Sequence, residues 1–184
     1  LLGNSMGGAL TLQAAARGGA AGLALISPFW KLESPLWTLL PVFRVLFPAF
    51  PIFKVIRLDF DDPQTRRGIR QFMPDADLDD PAVQREVREF RLPLALFDQI
   101  RQTGAQAYAA APRVSVPALV VQGRQDELVR PALTQQLGQR IPGLRRLVEV
   151  DGGHDLLNTA RPAWPLVRAA LLDFAEEIKS GHAP

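Results

Sequence analysis

Short apolar runs bounded by turn residues alternate with helical patterns at the start of the chain. Leu1 and Leu2 lead into a glycine-rich turn, an alanine-rich stretch follows from Ala9 to Ala16, and a second apolar run covers Leu23 to Ile26. Ala and Leu favour helix, and the glycines after Ala16 are a usual stop. A short apolar run closed by Ser-Pro is typical of a buried parallel strand. The opening is therefore predicted to be strand, tight turn, helix and strand.

The same alternation returns towards the other end of the chain. Ala118 to Gln122 and Leu147 to Val150 are predicted strands, and a helix is expected to begin at Arg130 or Pro131. The last helix is predicted over Pro165 to Lys179, with one apolar stripe formed by Val167, Leu171, Phe174 and Ile178. Strands that alternate with helices predict an α/β fold whose parallel sheet is covered on both faces.

The stretch 29–112 interrupts this pattern. It begins rich in proline and aromatic residues, turns polar between Asp59 and Asp80, and contains no strand alternation. Asp80 before Pro81 is typical of a helix start, and a further helix is predicted over Pro93 to Tyr108. We therefore expect a mostly helical insertion, which divides the chain into core residues 1–28, an insertion at 29–112 and core residues 113–184.

The segment from Pro35 to Phe53 has about the length of a membrane span, which needs roughly 20 residues. However, it contains four prolines and Arg44, and its strongly apolar stretches are short. A helix packed on the core is favoured, an interfacial or substrate-facing helix pair comes next, and a membrane span is least favoured. Membrane-surface contact is therefore not the leading expectation.

Composition excludes several classes of function. Hydrophobic residues make up 47% and charged residues 22% of the 184 residues, so there is enough apolar material for a core. The net charge of +2 is spread along the chain, which argues against a nucleic-acid partner. The chain has no cysteine, so thiolate catalysis and cysteine-based metal sites are excluded. The compartment and the oligomeric state stay open, with the cytoplasm slightly favoured.

The candidate chemistry begins at Gly3-x-Ser5-x-Gly7, which lies between a predicted strand end and a predicted helix start. Glycines at both flanks let the backbone turn sharply, so that the serine hydroxyl stands exposed at the helix N-terminus. The backbone N–H of Met6 would then point at a developing oxyanion. The spacing and its context predict Ser5 as a nucleophile.

A serine nucleophile needs a base and a carboxylate that orients the base. Of the two histidines, His182 lies in a polar tail, whereas His154 follows a strand and two glycines. Asp126 follows the strand Ala118 to Gln122, at the edge where active sites of α/β sheets gather. Glu127 and Asp155 are the competing carboxylates, and Asp126 is preferred by the expected chain order of serine, acid and histidine.

These motifs together resemble the α/β-hydrolases. Gly3-Asn4-Ser5-Met6-Gly7-Gly8, Gly123-x-x-Asp126-x-x-Val129-x-Pro131 and Gly153-His154 follow the family order, and the closest branch is that of the carboxylesterases and monoacylglycerol lipases. The resemblance implies the C-terminal part of a doubly wound, mostly parallel sheet, with 29–112 as a helical lid. It also implies that earlier strands and the second oxyanion donor lie upstream of Leu1. The 184 residues alone would then have a bare apolar edge and half an oxyanion hole.

The resemblance implies a serine hydrolase that cleaves a small ester with a hydrophobic moiety and uses neither metal nor cofactor. Trp30, Trp37 and Phe43 are candidate substrate contacts in the expected lid. The Gly-Asn-Ser-Met-Gly-Gly form of the turn also resembles carbon–carbon bond hydrolases of ring-cleavage dienoates. A third interpretation is a catalytically impaired hydrolase fragment that binds a partner or lipid.

Overall fold

The computed structural model describes residues 1–46, 49–50, 58–73 and 75–181. Its contacts divide the chain into two compact units, one formed by Leu1–Trp37 with Gln99–Pro184 and the other by Thr38–Asp98. The expected insertion at 29–112 contains the second unit, and its role as a lid stays a prediction. In chain order, the elements are β1 (Leu2–Asn4), α1 (Met6–Ala15), β2 (Leu23–Ile26), α2 (Pro35–Leu46), β3 (Ala49–Phe50), α3 (Pro63–Phe72), α4 (Pro81–Glu89), β4 (Leu92–Pro93), α5 (Leu94–Ala110), a 3₁₀ turn (Ala111–Arg113), β5 (Ala118–Gly123), α6 (Pro131–Gly138), β6 (Leu144–Val150) and α7 (Trp164–Lys179).

The first unit is built on a four-stranded sheet in the order β1-β2-β5-β6. All neighbouring strands in it are parallel, so their carboxyl ends meet at one edge. Leu25 of β2 pairs with Val120 of β5, and Val121 of β5 pairs with Val148 of β6, which defines the register of these strands. The predicted α/β class with a parallel sheet is confirmed, and the side chains that follow β1, β2, β5 and β6 are brought to the same edge.

Apolar side chains of the central strands alternate between two cores. Leu23 and Leu25 join a cluster with side chains of α1, α5 and α6, whereas Ala24 and Ile26 join one with side chains of α7. Successive residues of a strand point to opposite faces. A strand with helices on both sides must therefore be apolar at every position, as the fully buried β2 and β5 nearly are.

The second unit has its own small core, in which Phe60, Leu78 and Val87 are buried together. The predicted start of α4 is confirmed, because the Asp80 carboxylate accepts a hydrogen bond from Ala82 N at 2.7 Å. A short antiparallel pair, β3 with β4, was not expected. Each of these strands is two residues long, too short to leave an alternating pattern in the sequence.

A charged contact within the second unit joins the half-exposed Arg44 to the buried Asp98. Arg44 Nη1 of α2 lies 3.0 Å from Asp98 Oδ2, and the side chain of Asp98 is almost fully buried. Within the described ranges, no helix combines the length and the hydropathy that crossing a bilayer requires. Part of the segment 35–53 lies outside the described residues.

Candidate active site

Ser5 lies at the turn between β1 and α1 with φ = 50° and ψ = −120°. Such a backbone conformation costs a non-glycine residue about 1–3 kcal/mol, so the surrounding structure has to impose it. Ser5 N donates to Ile26 O at 2.9 Å, and Ser5 O accepts from Gly8 N at 2.9 Å and from Phe29 N at 3.1 Å. These bonds to the neighbouring strand end, the loop after it and the first helical turn hold the serine at the carboxyl edge of the sheet.

The two glycines of the motif differ in how strictly the backbone needs them. A Cβ at Gly3 would overlap Thr11 Oγ1 and the carbonyl of Gly7, whereas a Cβ at Gly7 would meet nothing within 4 Å. Close passage of the backbone thus requires Gly3 alone. The expectation that both flanks need glycine is wrong for Gly7, because its Cβ would point into open space.

We therefore expect Gly3→Ala to lower the free energy of unfolding by about 1–3 kcal/mol through overpacking. Gly7→Ala is the matched control, and it should leave stability unchanged or raise it by up to about 1 kcal/mol, because alanine favours helix. Denaturant unfolding of the two variants beside the wild type measures the difference. Equal stabilities of the two variants would contradict the structural distinction.

Asp126 follows β5 and is held by the turn that it begins. Its Oδ1 accepts from Leu128 N at 3.0 Å and from Val129 N at 2.8 Å. Its side chain has no solvent exposure, and its Oδ2 lies 2.8 Å from His154 Nδ1. The carboxylate is therefore fixed in rotamer by two backbone amides and presents its other oxygen to the imidazole.

His154 bridges the acid and the serine. Its Nδ1 lies 2.8 Å from Asp126 Oδ2 and its Nε2 lies 2.9 Å from Ser5 Oγ. The loop that carries it is fastened to the acid loop, since Gln125 N donates to Gly152 O at 3.0 Å. An imidazole in this position can take the hydroxyl proton while the carboxylate stabilises the positive charge that forms.

Opposing effects act on the ionisation of Asp126. Burial by itself would raise the pKa of this carboxyl, but the hydrogen bonds from His154 and Val129 N outweigh burial, and the pKa lies below its usual value. Asp126 is therefore ionised at neutral pH, as a group that orients a histidine base must be.

The competing residues lie elsewhere. Glu127 is exposed, and the exposed Asp155 accepts a hydrogen bond from Asn158 Nδ2 at 2.8 Å. His182 lies outside the described residues. The structure thus brings Ser5, His154 and Asp126 into hydrogen-bond contact, and it places neither alternative carboxylate there.

The aromatic candidates for substrate contact are placed differently. Trp30 belongs to the core, where it stacks on Tyr108 at 4.1 Å between ring centroids and donates its indole N–H to Leu133 O at 2.8 Å. Trp30, one of the candidate substrate contacts, is thus a packing residue of the core. Trp37 meets Phe29 edge-on at 5.9 Å, and Phe43 is a half-buried residue of α2.

Met6 is the first residue of α1, so its amide is one of those that no carbonyl within the helix can reach. The amide is available to a ligand beside Ser5 at the positive end of the helix dipole. Among the described residues, no group of three or more acidic or histidine side chains is arranged to hold a metal ion.

Sequence reasoning missed two buried polar residues behind the acid. Gln122 in β5 and Thr134 in α6 are both fully buried. Gln122 Nε2 lies 3.3 Å from Asp126 Oδ2, and Gln122 Oε1 accepts from Thr134 Oγ1 at 2.6 Å. The available signal was a glutamine within an otherwise apolar strand, since polar residues are rarely buried without a partner.

Comparison with known proteins points to one family. Residues 1–160 match the family model described as serine aminopeptidase, S33. A search of the curated proteins found no match.

Solved structures share the fold. A monoacylglycerol lipase from Paleococcus ferrophilus superposes with a TM-score of 0.62 at 19% identity, covering 98% of this chain and 67% of that one. A structure from a study of the metagenome-derived lipolytic enzymes LipS and LipT gives 0.60 at 24% identity, with 96% and 64% covered. A 2-hydroxy-6-oxo-6-phenylhexa-2,4-dienoate hydrolase from Rhodococcus gives 0.52 at 22%, with 92% and 62% covered. The chain thus spans 62–67% of the length of these structures.

Proposed function

Because the chain belongs to the serine aminopeptidase S33 family of α/β-hydrolases, we propose that it cleaves carboxylic esters through an acyl-serine intermediate. The observation that carries the proposal is the position of His154, 2.9 Å from the Ser5 hydroxyl and 2.8 Å from the Asp126 carboxylate. A serine hydroxyl becomes a nucleophile only when a base takes its proton, and this arrangement supplies the base and the group that orients it.

In the proposed reaction, Ser5 Oγ attacks the ester carbonyl and its proton passes to His154 Nε2. The imidazolium gives this proton to the departing alcohol as the bond between carbonyl carbon and alcohol oxygen breaks. Water then attacks the acyl carbon and loses one proton to His154. The bond from this carbon to Ser5 Oγ breaks, the imidazolium returns the proton to Oγ, and the acid is released. Asp126 stays ionised throughout, because its role is to hold the imidazole and balance its charge.

Charge on the carbonyl oxygen develops beside the first turn of α1. The amide of Met6 is the donor that this chain offers to it, supported by the dipole of the helix.

A hydrophobic acyl or alcohol group is the substrate moiety that we propose. Two of the structures that share the fold are described as lipolytic or as a monoacylglycerol lipase. Phe29 and Trp37 form an apolar aromatic pair, and the Phe29 amide donates to Ser5 O, which supports an apolar group near the proposed nucleophile.

Hydrolysis of a ring-cleavage dienoate is a second candidate. It is favoured by the Gly-Asn-Ser-Met-Gly-Gly form of the turn and by the fold shared with a dienoate hydrolase. The same three side chains could support either reaction, because fold and triad do not fix the bond that is cleaved.

Turnover of a p-nitrophenyl ester beside turnover of a coloured dienoate separates the two candidates. We expect ester hydrolysis to dominate and a fluorophosphonate probe to label Ser5, identified by mass spectrometry of the peptide. Dienoate turnover above ester turnover would replace the first candidate by the second. If neither turnover nor labelling is observed, the third interpretation would apply, in which the chain is a catalytically impaired hydrolase fragment that binds a partner or lipid.

A further inference from the structure

One polar side chain lies inside the central strand β5. Gln122 is fully buried, and every polar atom of its amide is used. The two hydrogens of its Nε2 are shared among Val129 O at 2.9 Å, Gly123 O at 3.0 Å and Asp126 Oδ2 at 3.3 Å, and its Oε1 accepts from Thr134 Oγ1 at 2.6 Å. A buried amide is costly unless it is bonded in this way. An apolar residue would suit the packing of the strand but would supply none of these bonds.

The orientation of this amide is settled by its neighbours. Three acceptor oxygens lie on one side of it, so only the NH₂ group fits there and the oxygen must face Thr134. The Thr134 hydroxyl then donates to that oxygen. Thr134 is itself fully buried in α6, so a helix packed on the sheet fixes the direction in which Gln122 donates.

The Asp126 carboxylate is thereby held from two sides. Leu128 N and Val129 N bind Oδ1 from within the turn, whereas Gln122 binds Oδ2, the oxygen that accepts from His154, from the strand below. The bond from Gln122 to Val129 O also ties the end of the turn to the strand. Removing Gln122 would take away one of the bonds that hold the turn and one of the bonds to the oxygen that faces the imidazole.

We propose that Gln122, oriented by Thr134, is a positioning residue that keeps the Asp126 carboxylate in line with His154. This inference rests on the proposed function, in which Asp126 orients the base. Since neither Gln122 nor Thr134 has solvent exposure, neither side chain can touch a substrate in this arrangement. Their loss should therefore lower kcat and leave KM unchanged.

The test compares variants of matched shape. Gln122→Met and Thr134→Val remove the hydrogen bonds at nearly constant volume, and Thr134→Ser keeps the hydroxyl. We expect kcat for ester hydrolysis to fall about ten- to a hundredfold in the first two, with KM within twofold, because a small misplacement of a catalytic group has an effect of this size. Thr134→Ser should restore most of the loss.

Gln135→Met is the matched control. Gln135 is the exposed neighbour of Thr134 on α6, and it binds the Glu149 carboxylate at 3.0 Å, outside the site. Its variant should keep the wild-type kcat. Wild-type kcat in both Gln122→Met and Thr134→Val, or an equal loss in the control, would overturn the inference.

The NMR signal of the proton on His154 Nδ1 is a second measurement, and it does not depend on turnover. This low-field signal should be present in the wild type and in Thr134→Ser, and displaced or lost in Gln122→Met and Thr134→Val. A wild-type protein without ester turnover would refute the proposed function while this signal still tests the positioning. Melting temperatures show whether a variant has lost activity because it has unfolded. If Gln122→Met is unstable, Thr134→Val still tests the inference.

Discussion

Ester hydrolysis is expected to fall by about 10⁶-fold in kcat when Ser5 is replaced by alanine, the size of effect known for loss of a triad serine. The structure gives the reason, since Ser5 Oγ is the atom that His154 Nε2 meets at 2.9 Å. Without this hydroxyl, no acyl-serine can form, and only the weak effect of binding and the oxyanion donors remains. Initial rates on a p-nitrophenyl ester measure the loss.

The control for this variant is Ser115→Ala, which changes an exposed serine of the same unit. It should keep both the wild-type rate and fluorophosphonate labelling, whereas Ser5→Ala should lose both. Unfolding curves are expected to be similar, because alanine removes only the hydroxyl from the turn. Turnover retained in a correctly folded Ser5→Ala protein would refute the acyl-serine mechanism.

The core of the fold could be predicted because its signals are local. Leu23 to Ile26 and Ala118 to Gln122 are apolar at nearly every position, which a strand covered on both faces requires. The turn at Ser5 could also be predicted from the sequence, because glycine is needed at position 3, where the backbone passes Thr11 closely. Chain order then brought the acid and the histidine to the same edge of the sheet.

Other features depend on contacts between distant residues and leave no local signal. Trp30 was one of three candidates for a substrate contact, and its indole N–H donates to the O of Leu133, a residue 103 positions away. The orientation of Gln122 depends in the same way on Thr134. The identity of a single aromatic or polar residue does not say which distant partner forms its hydrogen bonds. The sequence could therefore mark such residues as unusual but could not assign their roles.

The choice of Asp126 over Glu127 likewise rests on geometry. Both carboxylates follow the same strand, but the side chain of Asp126 has no exposure and meets His154, whereas Glu127 faces solvent. The two neighbouring side chains point in different directions in this turn, so only Asp126 reaches the imidazole.

Asp126→Asn is therefore expected to lower kcat by about 10⁴-fold while leaving the fold intact. The amides of Leu128 and Val129 hold the oxygen at the Oδ1 position, so the new NH₂ group must take the place of Oδ2. An NH₂ group cannot accept from His154 Nδ1–H, so the imidazole proton moves to Nε2, and Nε2 can then no longer accept the Ser5 proton. Steady-state kinetics on the same ester measures the effect.

Glu127→Gln is the matched control, because it makes the same change of carboxylate to amide one residue further along. It should keep kcat and KM at wild-type values, since Glu127 is exposed. Asp155→Asn serves as a second control for the carboxylate next to His154, which bonds to Asn158 instead. If Glu127→Gln or Asp155→Asn lost activity while Asp126→Asn kept it, the acid would have to be reassigned to that residue.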